Sequence, residues 1–92
     1  MKTFLVAGSI VDTAVEKFAQ EDVCVADIKS FLESLAEGEE ATLDITSYGG
    51  SVTAGIAMCN LLKQASADGH KTTAHVIGIA ASMASALACA CD

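Results

Sequence analysis

The stretch Ala41-Thr42-Leu43-Asp44-Ile45-Thr46-Ser47-Tyr48-Gly49-Gly50-Ser51-Val52 decides the fold, because the apolar period changes on either side of its paired glycines. Ala41, Leu43 and Ile45 alternate with Thr42, Asp44 and Thr46, which is the period of a strand. Beyond Gly49-Gly50, Val52, Ile56, Cys59 and Leu62 return to helical spacing, and Asp68-Gly69 closes that helix. Upstream, Lys2 to Val11 reads as a strand carrying Phe4, Leu5, Val6, Ile10 and Val11, and Asp12 to Cys24 has no clear period. Val25, Ile28, Leu32 and Leu35 then mark an amphipathic helix with Lys29, Glu33 and Glu37 opposite, ended near Gly38. Downstream, Thr72 to Ile79 is a second β-rich run, and from Ser82 the chain is rich in alanine and favours helix. Strand and helix alternate three times. Such alternation predicts an α/β fold of βαβα units with parallel strands and right-handed crossovers, in a single domain over residues 1–92.

Composition limits the partners. Hydrophobic residues make up 52%, but 17 of them are alanine and only Phe4, Phe18, Phe31 and Tyr48 are aromatic, so the core must form by close backbone approach. Five lysines, no arginine and twelve acids give a net charge of -7, spread along the chain. Nucleic acid is excluded as a partner, since it needs a basic surface and stacking aromatics. Cys24, Cys59, Cys89 and Cys91 lack the spacing of a disulfide framework or a metal site and are expected to be small buried hydrophobes in a reducing cytoplasm. Met1 to Val11 has no export-signal core. The uncharged run Ala74 to Cys91, with His75 inside and Gly78 breaking it, reads as a strand followed by a buried helix, not as a membrane span. That helix has no polar stripe from Ala84 to Cys91, so it is expected to need cover from further chain or from partner subunits.

Two strand-to-helix junctions could carry chemistry, since the sites of open α/β sheets collect beyond the carboxyl ends of strands. Ser47 to Val52 turns sharply on paired glycines, which can expose successive N–H groups to an anion or a peptide. It matches no nucleotide-binding loop, and by itself it also fits an ordinary turn. At Gly78 to Ser85, the residues Ala80, Ser82 and Ala84 form small-x-Ser-x-small, the pattern of a serine held on a sharp turn into a helix. Alone, Ser82 also fits a helix N-cap. His70 falls in the Asp68-Gly69 turn and is expected to be exposed, His75 is expected to be a packing or cross-strand residue, and Glu37, Glu39 and Glu40 a solvated turn.

Together, Gly49-Gly50-Ser51-Val52-Thr53-Ala54-Gly55 followed by Ala80-Ala81-Ser82-Met83 resembles the ClpP family of serine peptidases, most closely its phage and prophage branch, whose members process capsid proteins. The resemblance runs from about Leu43 to Asp92, with a looser fit of the first strand and helix. It implies a ClpP/crotonase-like fold, with Ser82 as nucleophile and the N–H groups of Gly50 and Met83 as oxyanion hole. It implies too that Gly49, Ser51 and Val52 hold an extended peptide by β-augmentation. A homo-oligomeric ring, protein substrates and no cofactor or metal are further implications. Tyr48 stands where the family usually has proline, and the segment Asp12 to Cys24 is longer than in the housekeeping members. The family's His and Asp fall beyond residue 92, so this chain is expected to be the N-terminal part of the peptidase domain, silent alone. The alternatives are a crotonase-type enzyme acting on acyl-CoA thioesters and a non-catalytic assembly remnant.

Overall fold

The computed structural model describes residues 1–92 and runs β1 (Lys2–Val6), β2 (Ile10–Val11), β3 (Val23–Cys24), α1 (Val25–Glu33), β4 (Ala41–Ser47), α2 (Val52–Ala67), β5 (Thr72–Ala80) and α3 (Met83–Ala90). A single 3₁₀ turn, Ala14–Glu16, lies between β2 and β3. The main sheet has the order β1-β4-β5, all parallel, and β2 and β3 form a small parallel pair beside it. The expected α/β architecture is present.

Both crossovers, through α1 and through α2, step the same way across the sheet. Right-handed connections that progress in one direction leave their helices on one face. The buried residues Val6, Leu43 and Ile45 point to that face and pack with Ile28, Met58, Leu62 and Leu87. Phe4 and Phe31 pack there as a tilted pair, with centroids 5.2 Å apart. The opposite face, with Leu5, Asp44, His75 and Ile77, carries no helix, and Leu5 and Ile77 are exposed.

Several expectations change. The first strand is broken after Val6, because Gly8 N–H turns to Glu21 O (3.1 Å) and Ser9 N–H to Asp22 Oδ1 (2.9 Å). The aperiodic segment is thereby ordered: Asp22, nearly buried, also accepts from Phe18 and Ala19 N–H (both 2.9 Å). The N–H groups of Ala19, Ser9 and Phe18 hold its carboxyl below the usual carboxylate range. Helix α1 stops at Glu33, not near Gly38, and Ser34 caps it by donating to Phe31 O (2.6 Å).

In α2 the core face is Ala54, Gly55, Met58, Leu62 and Ala65, whereas Val52 and Ile56 are exposed. Small residues won that face because α3 crosses there: a Cβ on Gly55 would lie 3.0 Å from Met83 Cβ. Of the cysteines only Cys24 is buried, and Cys89 is exposed. Burial raises the thiol pKa of Cys59 and Cys91. Helix α3 finds cover within the chain, burying Ala84 and Leu87 against α2, β4 and β5 while Ser85 and Cys89 face out. Asp92 ties its end down, accepting from Thr72 N–H (2.9 Å) and Ser66 Oγ (2.7 Å). No helix is long and apolar enough to cross a membrane.

Candidate active site

The two junctions meet at the carboxyl edge of the sheet. Near its end β5 slips relative to β4: Ile45 faces Val76, but Ser47 faces Ala80. The extra residues arch over Thr46, whose Oγ1 accepts from Ile79 N–H (3.4 Å), and Gly78 passes so near Thr46 that a Cβ there would displace its hydroxyl. Such an irregularity bends a strand and re-aims the chain beyond it. Here it aims the Ser82 turn.

Ala81 to Ala84 close a reverse turn through Ala84 N–H to Ala81 O (3.0 Å). Ser82 occupies its second position with φ 54° and ψ -127°, the only non-glycine residue of positive φ in the chain. Those angles belong to a type II′ turn, a position that favours glycine. A non-glycine residue there stores about 1–3 kcal/mol of strain, which the surrounding structure must offset. Ser82 is not a side-chain N-cap: its Oγ makes no cap bond, and the side chain is exposed. Ser85 Oγ instead donates to Ser82 O (2.6 Å), which fixes the turn from behind. Ser85 is thereby engaged.

Across from this turn, Gly49 has φ 103° and Gly50 φ 155°. A Cβ on Gly49 would fall 2.8 Å from Ser82 Cβ, 2.9 Å from Ala81 O and 3.0 Å from Met83 N. The backbones of the two junctions are therefore in contact. On its far side the glycine loop is pinned to β2: Ile10 N–H donates to Gly49 O (3.0 Å), and Ser51 N–H to Ile10 O (2.8 Å). A side chain on Gly50 would run into the Ile10 backbone, so the residue is confined by β2 and not by the open side of the loop. Gly49 and Ser51 thus have backbone groups committed to β2, while the N–H groups of Gly50 and Met83 have no intramolecular acceptor. Val52 stands exposed at the first turn of α2.

Asp12 organises the start of α2. It accepts from Ser51 Oγ (3.0 Å) and Thr53 Oγ1 (2.7 Å), and Ser51 Oγ in turn accepts from Ala54 N–H (3.2 Å) as the N-cap. A carboxylate there complements the positive end of the helix. Nothing in the period of Asp12 to Cys24 disclosed this role, although an acid placed before a Ser-x-Thr pair is compatible with it.

Both histidines lie elsewhere. His75 pairs with Asp44 across the strands (3.4 Å), on the open face and five residues before Ala80. At about 3.3 Å per residue, that is roughly 16 Å short of the end of β5. His70 is half-buried, not exposed, its Nδ1 meeting Glu39 O at 2.9 Å. Glu39 is likewise more than a solvated acid: Ala36 N–H (2.9 Å) holds its carboxyl below the usual range.

Sheet and junctions together define a parallel α/β domain with a serine turn and a glycine loop at its carboxyl edge. The chain belongs to the Clp protease family, whose family model matches residues 7–92. No curated protein matches it.

Proposed function

We propose that the chain supplies the nucleophile and oxyanion hole of a ClpP-like serine endopeptidase. The observation that carries this reading is the contact of Gly49 with the strained Ser82 turn, which supports a role for the neighbouring Gly50 and Met83 N–H groups, neither bonded within the chain, as the oxyanion donors of the exposed Ser82 hydroxyl. Ser82 Oγ attacks a peptide carbonyl, its proton passes to a base, and the two amides stabilise the oxyanion. The amide nitrogen then leaves with a proton, and water releases the acyl group. Gly49 and Ser51 act as the frame of the peptide strip, and Gly50 and Val52 as its open positions.

The histidine and its aspartate come from outside these 92 residues, since His70 and His75 stand far from Ser82. The resemblance to the phage and prophage branch supports capsid proteins as substrates, cut within a homo-oligomeric ring in the cytoplasm. Family membership supports oligomers and protein substrates.

The test is labelling of Ser82 by a fluorophosphonate in the protein expressed from its complete gene. Stoichiometric labelling, lost in Ser82→Ala, is expected; labelling that survives that substitution refutes the assignment. The distance of both histidines from Ser82 also favours a second reading, a non-catalytic assembly subunit. It predicts a ring by sedimentation with no labelling at all.

A further inference from the structure

A cavity of about 290 Å³ opens at the carboxyl end of β1, bounded by Gly8, Phe18, Ala19, Glu21, Asp22 and Tyr48. Tyr48, on the cavity wall, leads directly into Gly49 of the glycine loop. Two strand spacings separate the ends of β1 and β5, roughly 10 Å. An extended peptide seated at Ser82 covers that span in about three residues.

The chemistry of the cavity is one-sided. The loop Asp12 to Asp22 carries four carboxylates and a single cation. Asp12 is held by Ser51 and Thr53, Glu16 by Thr13, and Asp22 by three backbone N–H groups. Lys17 is paired with Asp27 at 2.6 Å. The Glu21 carboxylate alone has no hydrogen-bond or ion-pair partner, and the residue lies on the cavity wall beside the fixed charge of Asp22. Two aromatic rings complete the rim: Phe18 is 101% exposed and Tyr48 80%. Nothing in the fold of this chain uses those rings.

We infer that this cavity receives a lysine or arginine side chain of the substrate, its charge met by Glu21 and its stem covered by Phe18 and Tyr48. The inference rests on the peptidase reading and adds a substrate class to it. Aromatic faces and an uncommitted carboxylate together recognise an ammonium or guanidinium group, and the net charge of -7 favours approach of a cationic peptide.

The experiment compares fluorescein-labelled alanine-leucine decapeptides carrying one lysine, moved position by position, with the same peptides carrying norleucine. Binding is read by anisotropy on the Ser82→Ala protein from the complete gene, and cleavage on the unmodified one. One lysine position within about three residues of the scissile bond is expected to bind about five- to tenfold tighter than norleucine. Glu21→Gln should bring the two peptides together, and Glu21→Lys should turn the preference toward a glutamate peptide. Equal binding of lysine and norleucine peptides at every position overturns the inference, even where Ser82-dependent cleavage stands. A lysine preference lost in Glu21→Gln supports the cavity, even where no Ser82-dependent cleavage is found and the peptidase reading fails.

Discussion

Gly49 and Gly69 share the sign and size of φ but not an environment, and alanine at each separates two effects. Both have strongly positive φ, 103° and 97°. A Cβ on Gly69 would meet nothing within 4 Å; one on Gly49 would meet Ser82 Cβ at 2.8 Å and Ala81 O at 2.9 Å. Positive φ alone costs an alanine about 1–2 kcal/mol, which is the whole expectation for Gly69→Ala. Carbon atoms rest about 3.5–4.0 Å apart, so Gly49→Ala must also push the serine turn back by roughly 1 Å. Overpacking of that kind adds about 1–3 kcal/mol, giving a total near 3 kcal/mol. The same shift takes Ser82 out of line with the free amides, and a misplacement of about 1 Å typically costs on the order of 10²-fold in rate. Urea unfolding gives the stabilities, and the second-order rate of fluorophosphonate labelling gives the alignment. Equal stability losses for the two variants, or labelling of Gly49→Ala at the rate of Gly69→Ala, would show that the two junctions do not press on each other.

Ser82→Gly should abolish labelling yet raise stability by about 1 kcal/mol, because glycine relieves the φ 54° turn; a loss of stability on urea unfolding would contradict the strain. Leu87→Ala should cost about 2–5 kcal/mol because α3 is packed on its own chain, whereas Cys89→Ser on the exposed side should be near neutral by the same urea unfolding. Asp22→Asn can accept through only one of its two side-chain termini, so it should loosen the loop and speed tryptic cleavage after Lys17; an unchanged cleavage rate would argue against the carboxylate as organiser. In pH titration, Asp22, Asp27, Glu39 and Asp92 have folded pKa values below their unfolded ones. Their stabilisation is present above pH about 4 and lost as pH falls through the folded values, so thermal midpoints should drop below pH 4, and less steeply in Asp22→Asn.

The readable parts of this chain are those where one residue type admits one geometry. Alternation in Ala41 to Ser47, the paired glycines and the small neighbours of Ser82 all act locally, and each led to the element found. The buried face of α2 departs from its apolar period for a physical reason. Periodicity weighs large side chains such as Val52 and Ile56, but two elements approach most closely where side chains are smallest, at Ala54 and Gly55. Strands β2 and β3 have two residues each and exist only through pairing of Ile10 with Val23 and Val11 with Cys24. No local period could reveal them. The same holds for Asp22, whose partners at Ser9, Phe18 and Ala19 gather only when the loop closes. Whether Ser82 caps a helix or sits in a strained turn depends on its backbone angles, which the small-x-Ser-x-small pattern permits but does not impose.

The clamp of Ile10 and Asp12 on the glycine loop has a kinetic side. Asp12 meets Ser51 from 39 residues away, so the shape of Gly49 and Gly50 is held by contacts that no short peptide contains. Joining ends separated by about 40 residues costs about 3 kcal/mol of chain entropy, offset only once β1 has paired with β4. A chain leaving the ribosome therefore has no ordered glycine loop until residues past Thr53 have emerged and the sheet has closed. The loop arrives late in folding, and a chain caught before that closure would display Ser82 on a turn with nothing beside it.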